Sequence, residues 1–468
     1  MAAAAADGLS LKLGRLVRVT GESPYPAACE STPYPHAELE FSLAADRRRP
    51  RRLVGGWIQD GPRAVAVSYS RDAGQTWRVV IPPALAECTG SDYFRSSDPW
   101  LSVGPDGMAY LATLPIARSS GSTPAFAPAV QVSRSRDTGR RWSRPVFVER
   151  RSELLEWDDK PTVTADPYRA GSVYTSWARQ RVKSAAGSVS IFDRVEFSRS
   201  RDGGRTWSRP VTIDTPPTGW TENISQILVP GRGELLCVFS RREQAADHVF
   251  PLAGGRIRFY ASRSRDGGRS WLRPVLLARG RQLALEDRES STRIRSAVTH
   301  VFSAASGPKR RVYVAWADVR AGDASRIMLV RSRTGGRSWS PPHSLSKGAD
   351  RPMNPDIAVA GNGAVAVRFY DLRADLPGDR PLSTRSWLRI SRDGGQRWRE
   401  LRLGGVFDLR AAPVAEGITP GRFLGEYQGL AGLPTGFGSL FAQAQPGARF
   451  GVTDGFFRRV RSTGGGTR

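Results

Sequence analysis

Acidic residues recur along this chain at one kind of position, directly before a short apolar run. Six of seven such positions carry a carboxylate, and the seven sequences are Glu38-Leu39-Glu40, Ser97-Asp98-Pro99, Asp158-Asp159-Lys160, Thr221-Glu222-Asn223, Arg293-Ile294-Arg295, Asn354-Pro355-Asp356 and Gly425-Glu426-Tyr427. Carboxylates held close together raise one another's pKa, which suits general acid and base chemistry. If these positions meet in the folded chain, they predict a reactive site lined by acids.

A second set of segments combines aromatic, acidic and arginine side chains. They are residues 57–60, 177–179, 239–241, 316–320 and 369–373. Aromatic walls with a few convergent polar groups are typical of a pocket for a sugar. The repetition has a second interpretation, in which each acid forms an ion pair with an arginine of its own or the next repeat.

Both sets follow a repeat that is marked by six copies of one short motif. The copies are 70–77 (SRDAGQTW), 135–142 (SRDTGRRW), 200–207 (SRDGGRTW), 264–271 (SRDGGRSW), 332–339 (SRTGGRSW) and 391–398 (SRDGGQRW), at steps of 65, 65, 64, 68 and 59 residues. A period of this size indicates a repeat architecture. Each copy lies between a short apolar run and a run led by tryptophan, which predicts a β-hairpin with the motif as its turn.

The residue types of the motif suit such a turn. Its aspartate can accept hydrogen bonds from backbone N–H groups, its glycines allow a positive φ, and its tryptophan buries a large ring against the neighbouring strand. We therefore expect a structural role for the motif. The fifth copy carries Thr334 in place of the aspartate, a change that a turn tolerates better than a catalytic site does.

The motif resembles the Asp box (bacterial neuraminidase repeat) of sialidase-like β-propellers, and its copies span most of the chain. The resemblance implies an all-β fold, a single β-propeller with four-stranded blades. We expect six Asp-box blades and a seventh that is closed by the N- and C-terminal strands, with a six-bladed ring as the alternative. Because the same box occurs in propellers with other activities, it predicts the architecture better than the reaction.

The expected organisation is a disordered segment at 1–13, the propeller at 14–460 and a disordered tail at 461–468. Sets of strands should begin near Phe41, Pro99, Pro161, Asn223, Ile294 and Asp356. The last blade should contain 426–430, 439–443 and 455–460, with 14–19 as its fourth strand. In such blades the box turns lie on one face, so we expect a ligand on the opposite face, where the innermost strands begin.

Sialidases of this resemblance hold a sugar carboxylate with three arginines and use a tyrosine nucleophile, a glutamate that activates it and an aspartate acid. The resemblance implies that the catalytic candidates here are Tyr427, Glu426, Glu222, Asp98, Asp159, Tyr370 and Asp371, with Tyr427 paired to Glu222. The substrate-binding candidates are Arg95, Arg179, Arg293, Arg320, Arg373 and Asp356. The chain lacks the Phe/Tyr-Arg-Ile-Pro motif that supplies the first arginine in sialidases, and Arg95 is a loose substitute for it.

These residues predict a secreted exo-glycosidase that removes a terminal acidic sugar from a glycan. Two alternatives stay open. One is a propeller that binds a glycan or a protein without turnover. The other is a hydrolase or lyase of another polysaccharide, in which paired carboxylates replace the tyrosine. No cofactor is expected. The carboxylates where the innermost strands begin, at the mouth of the central channel of the propeller, could hold a structural Ca²⁺.

The net charge of +26 comes almost entirely from 65 arginines, against 5 lysines. Genomic base composition explains part of this excess, and an acidic partner such as an anionic glycan or polysaccharide explains the rest. We expect no nucleic-acid partner, because no binding signature is present. No apolar stretch is long enough to span a membrane, and we expect a monomer.

The chain contains three cysteines. The secreted proteins that this chain resembles carry a cysteine pair in places matching Cys29 and Cys88, which implies a disulfide and an oxidising, extracytoplasmic location. The alternative is two unrelated loop thiols. Cys237 lies in an apolar strand pattern and is predicted to be an inert core thiol.

Overall fold

The computed structural model describes residues 10–26, 29, 32, 34–61, 63–118, 129–151, 156–185, 188–244, 255–298, 301–319, 324–346, 350–376, 378, 380–415, 420–444 and 451–463. These residues form 32 strands and three short 3₁₀ helices, which are Glu87–Thr89, Pro308–Arg310 and Leu409–Ala411. The predicted all-β class is confirmed.

Seven four-stranded sheets form the blades. The first strand is Ser10–Arg18 (β1), and blade I contains Leu39–Ala45, Leu53–Gln59, Ala64–Ser70 and Arg78–Val80 (β2–β5). Blade II contains Arg95–Val103, Ala109–Ile116, Ala129–Ser135 and Val146–Arg150 (β6–β9). Blade III contains Glu156–Ala165, Val173–Ala185, Ser188–Ser200 and Val211–Asp214 (β10–β13). Blade IV contains Trp220–Gly231, Glu234–Glu243, Arg256–Ser264 and Val275–Arg281 (β14–β17).

The remaining strands form three more blades and one small sheet. Two short strands, Leu285–Glu286 (β18) and Arg293–Ile294 (β19), precede blade V, which contains Ser303–Gly307, Arg311–Val319, Ser325–Ser332 and His343–Ser344 (β20–β23). Blade VI contains Met353–Val359, Val365–Asp371, Ser383–Ser391 and Arg399–Asp408 (β24–β27). After Val414–Ala415 (β28) and Gly421–Arg422 (β29), blade VII contains Gly429–Leu433, Gly436–Ala444 and Thr453–Thr463 (β30–β32).

The blades form one closed ring. The innermost strand of each blade contacts that of the next, in the order β2, β6, β10, β14, β20, β24 and β30, and β30 contacts β2 again. The predicted seven-bladed ring is therefore confirmed, and the six-bladed alternative is not observed. Ring closure leaves no open sheet edge around the axis.

The two ends of the chain close blade VII. β1 pairs with β32 as the outermost strand, as the sequence predicted for 14–19. The pairing reaches further than the predicted boundaries, because β1 begins at Ser10 and β32 ends at Thr463. Residues 10–13 and 461–463, which were predicted to be disordered, thus lie in strands, and the rest of the predicted segments 1–13 and 461–468 lies outside the described residues.

The predicted strand sets agree with blades I, II, III, IV and VI, and blade V differs. Its innermost strand is Ser303–Gly307, whereas the sequence placed a strand start near Ile294. Ile294 instead belongs to a small sheet in the order β18, β19, β29, β28, which joins the insertion before blade V to the insertion before blade VII. Arg410 ties the same insertions together by bonding Asp287 and Glu289.

Each box forms the turn between the third and fourth strands of its blade. In the first box, Asp72 accepts hydrogen bonds from the backbone N–H groups of Gln75 (2.9 Å) and Thr76 (3.0 Å), while the Ser70 hydroxyl accepts the N–H of Gly74 at 2.8 Å. The turn thus satisfies its own donors, which is the structural role that its residue types predicted.

The box also fixes the spacing between neighbouring blades. A Cβ atom at Gly268 (φ +82°) would lie 2.2 Å from the Phe197 ring of the preceding blade. The Trp271 ring packs edge-on against the same Phe197, with 5.2 Å between the ring centroids. Only glycine permits both the positive φ and this close approach.

The fifth box keeps the turn without an aspartate. The Thr334 hydroxyl accepts the backbone N–H of Ser338 at 2.9 Å and lies 2.9 Å from the Ser338 hydroxyl. In the neighbouring box, Asp266 accepts two backbone N–H groups, from Arg269 and Ser270. Threonine therefore supports one of the two backbone bonds.

Cys29 and Cys88 form a disulfide with a Cα–Cα distance of 5.4 Å, which confirms the predicted pair. It links the loop before blade I to the loop between blades I and II. Cys237 is a buried free thiol, also as predicted. Among the described residues, no helix is long and apolar enough to cross a membrane.

The difference between the boxes predicts a stabilising substitution. Thr334→Asp should raise the free energy of unfolding by roughly 0.5–1.5 kcal/mol, because the carboxylate can accept a second backbone N–H. Asp266→Thr should lower it by a similar amount. Urea unfolding followed by tryptophan fluorescence measures both changes, and equal stability of all three proteins would contradict this view of the turn.

Candidate functional site

One residue on each of several innermost strands is turned towards the channel by a β-bulge. The register of the first two strands shifts at this point in blades I, II, III, IV and VI. The bulge residues have positive φ in four of these blades: Glu40 (54°), Asp98 (52°), Lys160 (49°) and Asn354 (54°). Bulges re-aim side chains, and backbone strain of this kind concentrates at functional sites.

Lys160 is the centre of the arrangement. Its Nζ lies 2.8 Å from Asp98 Oδ1, 2.8 Å from Glu426 Oε2 and 3.3 Å from Glu40 Oε1. These carboxylates come from blades II, VII and I, and all four side chains are more than nine-tenths buried. We call Glu40, Asp98, Asp159, Lys160 and Glu426 the lysine cluster.

The cluster alters the protonation of its members. Burial, with the charges of Asp98 and Glu426, raises the pKa of Glu40 to about 8, although Lys160 opposes the shift. Burial also raises the pKa of Asp159 to about 7. Burial would lower the pKa of Lys160, but the surrounding carboxylates outweigh it and hold that pKa well above its usual value.

Two arginines lie near the cluster, one partly exposed and one buried. Arg295 is partly exposed, with Nη2 3.9 Å from Glu426 Oε1 and its guanidinium 4.8 Å from the centre of the Phe423 ring. Arg242 is buried and donates from Nε to Thr221 Oγ1 at 2.9 Å. Burial lowers the pKa of Arg242, whereas the charges of Asp193, Asp159 and Glu426 oppose this effect.

Asp159 is the most accessible acid of the cluster. It is partly exposed, and its Oδ2 accepts a hydrogen bond from Asn223 Nδ2 at 2.7 Å. The space beside the cluster is too small to admit a water molecule, and it is lined by Asp98, Trp100, Lys160, Pro161, Thr162, Ile224 and Tyr427. Since ligand pockets measure about 300–1,000 Å³, a glycan would have to meet the cluster from its outer side.

Other acids of the aligned positions lie in ion pairs of their own blades. Asp158 accepts a hydrogen bond from Trp177 Nε1 at 3.0 Å and lies 3.5 Å from Arg179. Glu222 lies 3.2 Å from Arg241 Nε. These pairs agree with the interpretation in which each repeated acid forms an ion pair with an arginine of its own or the next repeat.

Blade VI contains two further pairs of this kind. Asp356 lies 3.2 Å from the fully buried Arg368, and Asp371 lies 2.5 Å from Arg373 Nε. Burial raises the pKa of Asp356 to about 7 and that of Asp371 to about 6. Their arginine partners oppose both shifts.

Both tyrosine candidates are buried and bonded to backbone. Tyr427 donates to the Pro99 carbonyl at 3.2 Å, and its ring lies 5.2 Å from that of Trp100. Burial raises the pKa of Tyr427 well above its usual value. Tyr370 donates to the Ala442 carbonyl at 2.6 Å, and burial raises its pKa as well. A tyrosine nucleophile needs the opposite shift, and Glu222 bonds Arg241 rather than Tyr427.

The arginine candidates are distributed over several places. Arg179 pairs with Glu196 at 3.0 Å, and Arg373 pairs with Glu400 at 2.7 Å. Arg95 lies at the start of β6 with its guanidinium 5.5 Å from the Phe94 ring, and Arg293 lies in the small sheet. Arg320 lies outside the described residues.

Sequence reasoning missed Lys160, Arg242 and Arg295. Lys160 ends the segment Asp158-Asp159-Lys160, in which the two carboxylates are the more obvious acid and base candidates. The available signal was a lysine, one of five in a chain with 65 arginines, at a position otherwise rich in carboxylates. Among the described residues, no group of three or more His, Cys, Asp or Glu is arranged to hold a metal ion, and the Lys160 ammonium lies where a Ca²⁺ would need to meet the carboxylates.

No family model matches the chain, and no curated protein matches it. Solved structures match the fold at low identity. The phage phi92 endosialidase is 9% identical, with 97% of this chain and 70% of that chain covered and a TM-score of 0.51. A protein of unknown function from Dyadobacter fermentans is 14% identical, with 95% and 99% covered and a TM-score of 0.48.

The Hadza microbial sialidase Hz136 is 16% identical, with 71% of this chain covered and a TM-score of 0.46. The match covers 63% of that sialidase, which is less than two thirds of its length. At these identities the similarity shows the fold alone. The chain is therefore similar to propellers that include sialidases, and its own chemistry has to be argued from the lysine cluster.

Proposed function

We propose that the protein is a glycoside hydrolase that removes a terminal acidic sugar from a glycan, with carboxyl groups of the lysine cluster as its acid and nucleophile. The observation that carries the proposal is the convergence of three carboxyl groups on the Lys160 ammonium, with the charge of Asp159 beside them. This arrangement favours the carboxylate reaction, which was an alternative at the sequence level, over a tyrosine nucleophile.

The cluster holds a protonated carboxyl group and ionised carboxylates within one site. With a pKa of about 8, Glu40 is protonated at neutral pH and can give its proton to the glycosidic oxygen. A carboxylate beside Lys160 can then attack the anomeric carbon, and water later hydrolyses the glycosyl ester and returns the proton. Environments that push two carboxyl pKa values apart define such acid and base assignments.

The contacts with Lys160 set an upper limit on the separation of two carboxylates of the cluster. Asp98 Oδ1 and Glu426 Oε2 both lie 2.8 Å from Lys160 Nζ, so these oxygens can be at most twice that distance apart. Retaining glycosidases hold their two carboxyl groups about 5–5.5 Å apart.

The acidic sugar follows from the partly exposed arginine beside the cluster. Arg295 is the cation next to Glu426, and a guanidinium binds a carboxylate through two parallel hydrogen bonds. A sugar acid could exchange with Glu426 at the partly exposed Arg295.

A second candidate is a propeller that binds a glycan without turnover. The observation that favours it is the burial of Glu40, Asp98 and Glu426, whose charges already meet Lys160. Under this second proposal the cluster has a structural role and joins three blades, and the glycan contacts only the exposed residues around the channel mouth.

The disulfide supports a secreted, extracytoplasmic location, since such bonds persist in oxidising compartments. A glycan outside the cytoplasm is a substrate that this location makes available. We also propose that the chain acts as a monomer.

Substitutions in the cluster test the reaction. Purified protein is assayed with fluorogenic sialosides, hexuronides and neutral glycosides. Asp98→Asn and Glu40→Gln should each lower kcat/KM by about 10²–10⁴-fold, because each removes an acid or base group. Tyr427→Phe should keep activity within about tenfold, because it loses only a hydrogen bond to the Pro99 carbonyl. Glu87→Gln, in an exposed pair with Arg118, is the matched control.

Two outcomes would redirect the proposal. Loss of turnover in Tyr427→Phe with retention in Asp98→Asn would establish a tyrosine nucleophile instead. Binding on a glycan array without turnover of any glycoside would favour the non-catalytic candidate.

The raised pKa of Glu40 predicts how stability depends on pH. The pKa is about 8 when folded and 4.5 in its ordinary range, so at intermediate pH the folded protein holds a proton that the unfolded chain has lost. The free energy of unfolding should therefore fall as the pH rises from about 5 to about 8. In Glu40→Gln the fall should be smaller, by on the order of 2 kcal/mol. Urea unfolding at both pH values measures this, and an identical fall in the two proteins would show that Glu40 ionises normally.

A further inference from the structure

The face opposite the channel mouth carries a ring of exposed arginines. The second residue of every box is an arginine, and all six are exposed: Arg71, Arg136, Arg201, Arg265, Arg333 and Arg392. Because all box turns connect the third strand of a blade to the fourth, the topology places them on one face. The glycosidase proposal does not use these side chains.

The same turns carry six more exposed arginines, which are Arg140, Arg141, Arg205, Arg269, Arg337 and Arg397. We call the twelve together the basic face. The turns between the first and second strands lie on this side as well, and they add the exposed Arg48, Arg49, Arg51, Arg169, Arg232 and Lys309.

The acids of the box turns do not balance this charge. Five boxes contain an aspartate, against twelve exposed arginines. Asp202 accepts the backbone N–H groups of Arg205 and Thr206, and Asp266 is bonded in the same way within its own turn. Salt bridges of 3.2 Å and 3.1 Å join Asp137 to Arg141 and Asp393 to Arg397. The aspartates thus serve the turns, and the face as a whole stays strongly positive.

The surface lacks the features that bind a nucleic acid or insert into a membrane. The box tryptophans are partly buried, and Trp77, Trp142 and Trp339 donate their indole N–H to carbonyls of their own turns. They therefore offer no stacking platform for bases. None of the exposed residues in the six box segments is apolar, so nothing there can enter a bilayer.

A linear acidic polymer fits the arrangement better. Guanidinium groups bind sulfate and carboxylate through paired hydrogen bonds. One to three of these arginines occur in each of the six box blades around the axis, so a flexible chain with regularly spaced anions can contact several of them in succession. Each contact releases counterions, which makes such binding salt-dependent.

We propose that the basic face is a binding site for an acidic polysaccharide that carries sulfate or carboxylate groups. The site is separate from the channel mouth and does not depend on the glycosidase proposal, since no residue of the lysine cluster takes part. A polymer bound there holds the protein with its mouth turned away from the polymer, towards other chains.

The test compares two variants of equal net charge by titration with heparin as the probe. In the first variant, three box arginines are replaced: Arg71→Gln, Arg201→Gln and Arg265→Gln. The matched control replaces three exposed arginines in strands, outside the box turns: Arg15→Gln, Arg181→Gln and Arg279→Gln. At 0.15 M salt the first variant should bind heparin about tenfold more weakly than the unmodified protein, with a shallower salt dependence. The control should change by less than about twofold, because screening limits distant charges.

Three results would overturn the proposal. Equal weakening in both variants would show that only net charge matters. Failure of the unmodified protein to bind heparin or dextran sulfate at 0.15 M salt would remove the site. Displacement of heparin by duplex DNA or by anionic lipid vesicles at lower charge concentration would assign the face to that other class of partner. Circular dichroism of both variants tests whether they keep the native fold, which is expected because the replaced side chains of Arg71, Arg201 and Arg265 are exposed.

Discussion

A positive charge inside the ring is the feature on which the rest of the mouth depends. A buried ammonium is stable only where opposite charges and hydrogen bonds replace the water that it has lost. Lys160 finds them in Glu40, Asp98 and Glu426, each from a different blade. Those blades are therefore joined electrostatically at the axis as well as through their packed sheets.

The bulges make this convergence possible, and they have an energetic cost. Residues with positive φ and a side chain cost on the order of 1–3 kcal/mol each, and Glu40, Asp98, Lys160 and Asn354 all adopt it. A regular strand would alternate its side chains between the two faces of the blade. The bulge turns one residue per blade towards the axis instead, so charge pairing there offsets local strain.

The architecture could be predicted from the sequence because its signals are local. The box turn is specified by the serine, aspartate, glycine and tryptophan of one short segment, and its period fixed the order of the blades. The predicted start of blade V was wrong because the sequence around Ile294 resembles the start of an innermost strand. In the structure Ile294 pairs with Arg422, which is far away in the sequence. The site was harder to predict for a similar reason. Asp158 and Asp159 are adjacent, yet the first bonds Trp177 within its blade and the second belongs to the lysine cluster. Which neighbour faces the axis depends on a one-residue bulge that the sequence does not mark.

The order of the cluster along the chain has a consequence for synthesis. Glu40, Asp98 and Lys160 belong to the first three blades, whereas Glu426 precedes the last, whose outer strand is the N-terminal β1. A ribosome-bound chain with six blades therefore contains the lysine and two of its partners but neither the third nor the strands that close the ring. The ring can close, and Lys160 can gain its third carboxylate, only after Glu426 and strands β30–β32 have been made.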